Sequence, residues 1–139
     1  MRIVLEIEPP RGTAQEKSIA YNNGRPVIYE KKSAREAREL LTLMLRKYKP
    51  SEPIDGAVRL TVRWFFKNYT IYRGRRVKNH KQKYKTTRPD TDNMVKGLKD
   101  VLTHLGFWND DAQVAEEFCG KYWSDTPRIE IEIEHLPEN

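Results

Sequence analysis

The 139-residue chain contains a single cysteine, Cys119. One thiol closes no intramolecular disulfide and cannot build a cysteine-based zinc site, so two common ways of bracing a small chain are excluded. Long apolar runs are missing too. None approaches the roughly 20 residues that a membrane-spanning helix needs. The opening Met1-Arg2-Ile3-Val4-Leu5-Glu6 meets charge too early for the apolar region of a signal peptide. There is no Gly-rich phosphate loop and no strained elbow carrying a serine nucleophile. His104 and His135 lack metal-ligand spacing. What remains is a small chain with a hydrophobic share of 37% and a charged share of 33%, anchored by 3 Trp, 7 Tyr and 4 Phe. That many aromatics argue for a core and against disorder. The expectation is one soluble domain over residues 1–139, cytoplasmic, with no membrane partner and no small-molecule cofactor.

Acid is absent from one stretch altogether. Ala57 to Pro89 carries 11 Lys or Arg and not one carboxylate, whereas Asp90 to Asn139 carries 4 Lys or Arg against 12 acids. The net charge of +6 averages over this segregation. A basic run interleaved with aromatics suits a polyanion such as nucleic acid; a solvated loop is the plain alternative. Arg73, Arg75, Arg76, Lys78, Lys81, Lys83, Lys85 and Arg88 are the candidate phosphate contacts. Tyr69, Tyr72 and Tyr84 are suited to stacking on unpaired bases, or equally to anchoring a loop.

Periodicity supplies the elements. Arg2 to Glu8 alternates as a half-buried strand. Lys17 to Tyr29 reads as a hairpin turning at Asn22-Asn23-Gly24. Ser33 is placed to cap a helix over 34–49, with Glu36 at the capping-box position. Ala57 to Phe66 reads as a strand. Residues 68–88 show weak periodicity and read as a long loop or an irregular hairpin; the whole basic segment, 67–88, is one that can be mobile without its ligand. Met94, Val95, Leu98, Val101, Leu102 and Leu105 follow helical spacing over 92–105, and Gly106 is a good stop. Gln113 to Trp123 and Arg128 to Glu134 read as two antiparallel strands. The class is therefore α+β: a small mixed or antiparallel sheet with two main helices packed on it.

Four carboxylates flank the second helix. Asp90 and Asp92 stand at its entry, Asp110 and Asp111 just past its exit. Lys96, one turn after Asp92, shares a helix face with it. Carboxylates beside a polyanion repel it unless a hard cation reverses the sign. Mg²⁺ does this with one or two carboxylates plus substrate phosphate, and it activates water for in-line attack. Mn²⁺ is a plausible substitute. In an extended chain Asp110 and Asp111 face opposite ways, so one of the two is expected to join Asp90 and Asp92, and spacing does not say which. Each acid has a plainer reading as well: helix capping for Asp90 or Asp92, an ordinary ion pair for Asp92 with Lys96, turn composition for Asn109-Asp110-Asp111. The set as a whole, next to an acid-free basic run, favours a site.

Two spaced motifs then carry a resemblance. Arg88-Pro89-Asp90-Thr91-Asp92-Asn93-Met94-Val95-Lys96, followed after the helix by Gly106-Phe107-Trp108-Asn109-Asp110-Asp111-Ala112-Gln113-Val114, resembles the RusA family of Holliday junction resolvases. The basic segment before Arg88 is longer than in compact members. The resemblance implies a homodimeric, Mg²⁺-dependent endonuclease that cuts four-way DNA junctions by paired symmetric nicks in recombination and repair, in a bacterium or phage. It matches Asp90, Asp92 and Asp111 to the catalytic, metal-binding acids, Lys96 to a catalytic lysine, and Asp110 to a neighbouring acid. The rivals are a non-catalytic nucleic-acid-binding module and a less selective nuclease of branched DNA.

Overall fold

The computed structural model describes residues 1–11, 17–30 and 32–138. In chain order its elements are β1 (Arg2–Leu5), β2 (Lys17–Asn22), β3 (Arg25–Glu30), α1 (Lys32–Leu45), β4 (Val58–Lys67), β5 (Tyr69–Tyr72), β6 (Arg75–Lys78), α2 (Thr91–Leu105), β7 (Val114–Ser124) and β8 (Arg128–His135). The chain is α+β. It divides into two compact units, each assembled from separate stretches: Met1–Pro9, Gly56–Thr87 and Val114–Asn139 in one, Pro10–Asp55 and Arg88–Gln113 in the other.

The first unit is built on a mixed four-stranded sheet in the order β1-β8-β4-β7. β4 is central because its alternation is the strongest. Val58, Leu60, Val62, Trp64 and Phe66 are all buried on one face, joined by Ile129, Ile131 and Ile133 of β8 and Ile3 and Leu5 of β1. On the other face Arg59 reaches Glu116 at 2.6 Å and Glu134 at 2.8 Å, spanning both neighbouring strands. β7 and β8 run antiparallel to each other but do not pair. β4 lies between them, parallel to β7 and antiparallel to β8, and the turn after Ser124 crosses the end of β4. The physical reason is burial. β7 buries only Tyr122 and suits an edge, whereas β4 requires a neighbour on both sides.

The basic segment, open between loop and hairpin in sequence, forms a hairpin in its first half. β5 and β6 pair antiparallel through a two-residue turn, Arg73-Gly74, with φ of 50° and 75°. Both central residues at positive φ define the turn whose twist matches a hairpin. Residues 83–85 then run along the outer edge of β7: Lys85 N–H donates to the Lys121 carbonyl at 3.2 Å and Trp123 N–H to that of Lys83 at 2.8 Å. An edge strand is thereby covered.

The second unit holds the β2–β3 hairpin, with Asn23 and Gly24 at φ of 53° and 76°, and both helices. α1 begins earlier than expected. Ser33 lies inside its first turn, so it is not the cap, and Glu36 instead meets Lys32 at 3.7 Å. The helix also stops earlier, at Leu45, and tightens into a 3-10 turn over Arg46–Tyr48. Ala34, Ala37, Leu41 and Leu45 form its buried stripe.

α2 matches the sequence reading within one residue, and Met94, Val95, Leu98, Val101 and Leu102 are buried. Gly106 adopts φ 88° and ends it. Its N–H reaches the Thr103 carbonyl at 3.0 Å and the Phe107 N–H reaches that of Leu102 at 3.0 Å. This pair of bonds satisfies the last carbonyls and needs a left-handed residue between them. Phe107 and Trp108 are then buried, and Ile54 N–H donates to the Phe107 carbonyl at 2.8 Å. The second acidic turn is held in place this way.

Candidate active site

Asp90 is the N-cap residue of α2, extended at φ −76° and ψ 146°. Its carbonyl accepts from Met94 N–H at 3.1 Å, but its side chain makes no capping hydrogen bond. The capping reading of this acid therefore fails. Its exposed carboxylate stands instead at the positive end of the helix, where negative charge is favoured. A cis peptide joins Arg88 to Pro89 just before it. Asp92 is exposed in the first turn of α2, and Lys96 is exposed one turn further on.

At the other end of α2 the two adjacent acids have different duties. The Asp110 carboxylate accepts from Ala112 N–H at 2.8 Å, within its own turn. Gln113 closes the same turn: its Oε1 accepts from the N–H groups of Asn109 at 2.8 Å and Asp110 at 3.1 Å, and its Nε2 donates to the Ile54 carbonyl at 2.8 Å. Asp111, half-buried, points back to the helix, where its carboxylate accepts from the Thr103 hydroxyl. The buried Trp108 donates its indole N–H to the same Thr103 oxygen at 2.7 Å, which fixes the hydroxyl to serve the carboxylate.

Sequence reasoning overlooked Asp100. This acid lies close enough to Asp111 for the two carboxyls to hydrogen-bond. Asp100 is held above the ordinary carboxylate range, chiefly by partial burial and also by Asp111, while Lys96 pulls it the other way. The signal was available. Asp92, Lys96, Asp100 and Thr103 succeed one another at intervals of four, four and three, which lines one helix face. A shallow depression is lined by Asp100, Thr103, His104, Asn109, Asp110 and Asp111.

Carboxylate oxygens are the donors that Mg²⁺ prefers, one or two at a time with water and phosphate completing the shell. The Asp100–Asp111 pair at one end of α2 and the Asp90–Asp92 pair at the other both fit that chemistry. Among the described residues, however, no three His, Cys, Asp or Glu side chains form a group that could hold a metal ion. Helix geometry gives the reason. Asp111 is tied to Thr103, which stands about 16 Å beyond Asp92 and about 20 Å beyond Asp90 at 1.5 Å per residue. Within one chain Asp90 and Asp92 are thus not brought to Asp111.

The basic residues are placed individually. Arg73 is at the hairpin tip, Arg75, Arg76 and Lys78 lie on β6, and all four are exposed, as are Lys81, Lys83 and Arg88. Lys85 is different. Only 4% of it is exposed, its ammonium sits 4.2 Å from the Trp123 ring centroid and 5.0 Å from that of Phe66, and it donates to the Thr87 hydroxyl at 2.6 Å. Read from sequence as a phosphate contact, Lys85 is instead a buried cation held over aromatic rings. His80 stacks on Trp123, with ring centroids 3.7 Å apart and planes 9° apart.

An α+β chain with acids at both ends of one helix and an acid-free cationic hairpin has the make-up of a nuclease. The comparisons with known proteins agree. The model of the family Endodeoxyribonuclease RusA matches residues 8–134, and the chain belongs to that family. It is 30% identical over 129 residues to the crossover junction endodeoxyribonuclease rusA of Lactococcus phage r1t, covering 93% of each chain. It is also 30% identical over 138 residues to the uncharacterized protein YqaN of Bacillus subtilis (strain 168), covering 91% of this chain and 87% of that one. No helix among the described residues is long and apolar enough to cross a membrane.

Proposed function

We propose that the chain, acting as one domain over residues 1–139, is a divalent-metal-dependent endonuclease that resolves four-way DNA junctions as a homodimer. Family membership and the name of the phage relative support the reaction class. The observation that carries the dimer is the separation of Asp90 and Asp92 from Asp111 along α2. A cage for one Mg²⁺ cannot span a helix of 15 residues. A second copy with its α2 running the opposite way supplies the missing end: the partner's Asp111 completes Asp90 and Asp92, and two-fold symmetry makes two such sites. Two symmetric sites are also what paired nicks on opposite strands require.

When bound, Mg²⁺ lowers the pKa of its water and neutralises charge on the phosphodiester. The chain's own residues do the rest. Thr103 and Trp108 hold the Asp111 carboxylate in one orientation. Lys96 brings a positive charge to the acidic face of α2, suited to the leaving oxygen. Arg73, Arg75, Arg76, Lys78, Lys81, Lys83 and Arg88 hold the DNA backbone.

Mixing two dead variants tests the reading. Asp92→Asn and Asp111→Asn each abolish Mg²⁺-dependent nicking of a labelled four-way junction. If sites are shared between copies, the heterodimer of the two variants has one site carrying both changes and one carrying neither, so an equimolar mixture recovers nicking at about a quarter of wild-type sites. If each site belongs to one chain, the mixture stays inactive. Junction binding without Mg²⁺-dependent nicks in the wild type leaves a binding module only.

A further inference from the structure

The β5–β6 hairpin exposes apolar surface where cations alone would serve a phosphate backbone. Ile71 is 59% exposed and Tyr72 61%, both in the half of the hairpin nearest its turn, and Val77, opposite Thr70 nearer the base, is 46% exposed. Cross-strand register puts Ile71 on one face with Arg76, and Tyr72 on the other with Arg75. Both faces are open, so the hairpin projects rather than packs.

Its base is rigid. Asn79 N–H donates to the Asn68 carbonyl at 2.7 Å, and the Asn79 amide donates to the Thr70 hydroxyl at 2.8 Å. Arg76 Nη1 donates to the Asp125 carbonyl at 3.1 Å, and its guanidinium lies 4.2 Å from the Tyr69 ring centroid. Its tip is cationic. Arg73 occupies a left-handed position where Asn or Gly is the easy choice, and its guanidinium sits 5.3 Å from the Tyr72 ring. The stretch 57–89 that contains the hairpin has no acid.

We infer that this hairpin is a wedge whose Tyr72 and Ile71 enter the branch point of a DNA junction and stack on the bases left without a neighbour there. The inference rests on the proposed function and assigns its structure selectivity to this element. In a linear duplex every base face is covered, and an apolar tip gains nothing. Where four arms meet, base faces are uncovered, and inserted apolar side chains are the usual way to hold such a step open. Arg73 beside the Tyr72 ring meets the crowded phosphates of the crossover. From Tyr69 to Tyr72 the strand rises about 10 Å, enough to reach past the backbone to the bases.

The test uses a four-way junction with 2-aminopurine beside the crossover, and a linear duplex of the same arm sequence, both in EDTA. Wild-type binding raises the fluorescence, as the base unstacks. The double variant Ile71→Ser/Tyr72→Ala loses that rise and about tenfold of its junction affinity, a factor in line with loss of one stacked base, while duplex affinity changes less than about twofold. Tyr72→Trp retains the rise. Tyr72→Ala alone gives the intermediate loss and serves if the double variant misfolds, as judged by circular dichroism. A rise that persists in the variants, a wild type with none, or an equal fall in junction and duplex affinity overturns the wedge. So does a shift of oligomeric state in the variants, which makes the hairpin a contact between copies. Mg²⁺-dependent junction cutting by the wild type separates the two levels. If cutting is present and fluorescence flat, the wedge alone fails. If cutting is absent, the proposed function fails and the wedge with it.

Discussion

Asp100 shows what a single residue can cost a fold. Burial and Asp111 both favour its protonated form, so its folded-state pKa lies above the ordinary 3.8 of the unfolded chain. A raised acid stabilises the fold only while it is protonated. The penalty is absent below about pH 3.8 and complete once pH has risen through the folded value. Asp100→Asn removes the charge and keeps the shape. In EDTA at pH 7 it should raise the thermal midpoint, with the gain vanishing near pH 3.5. A lowered midpoint at pH 7 would show that Asp100 supports the fold instead. This residue was missed in sequence because an aspartate in mid-helix looks like solvent-facing charge. Its meaning comes from Asp111, eleven positions later, turned back by Thr103.

Elements were legible where the pattern was local. α2 was readable to within one residue because its apolar spacing, its acidic entry and Gly106 all agree. The two positive-φ hairpin turns differ instructively. Asn23-Gly24 announces itself, whereas Arg73-Gly74 does not, since arginine is a poor guide to a left-handed residue. The pairing of β7 was not readable at all. Its partner β4 is more than fifty residues away, and nothing in its own alternation names a parallel neighbour. The end of α2 gives the prediction at this scale. Gly106 sits at φ 88°, and a Cβ there would lie 3.6 Å from Lys49 Cε, so space is ample and conformation is the cost. Gly106→Ala should destabilise by about 1–2 kcal/mol in urea unfolding. It should also slow nicking, because the same turn aims Trp108 and Asp111.

For the whole molecule, the proposed grip on DNA rests on segregated charge. Seven of the eight cations assigned from sequence are exposed, and Lys85 is not. Replacing Arg75 or Lys78 by Ala should reduce the slope of log affinity against log salt by about 1 for each phosphate that is no longer neutralised. Lys85→Ala should leave that slope unchanged and lower thermal stability, because its ammonium is used over Trp123 and Phe66. Binding titrations between 50 and 200 mM salt, near-physiological conditions where counterion release is readily measured, separate the two outcomes. The acid-to-base partition was visible in the sequence. The acids at the two ends of α2 were visible there as well; what the sequence reading left undrawn was the distance that 15 helical residues put between them, on which the proposed dimer rests.

β4 lies between β8 and β7, and both of those follow residue 113. A ribosome releasing this chain at 5–20 residues per second leaves its most apolar strand with two bare edges for roughly 3–14 s, from Lys67 to His135. During synthesis the sheet is finished last, and the strand that both β8 and β7 flank must wait for them. A bare apolar edge during translation, rather than low stability once folded, is the burden that this topology implies.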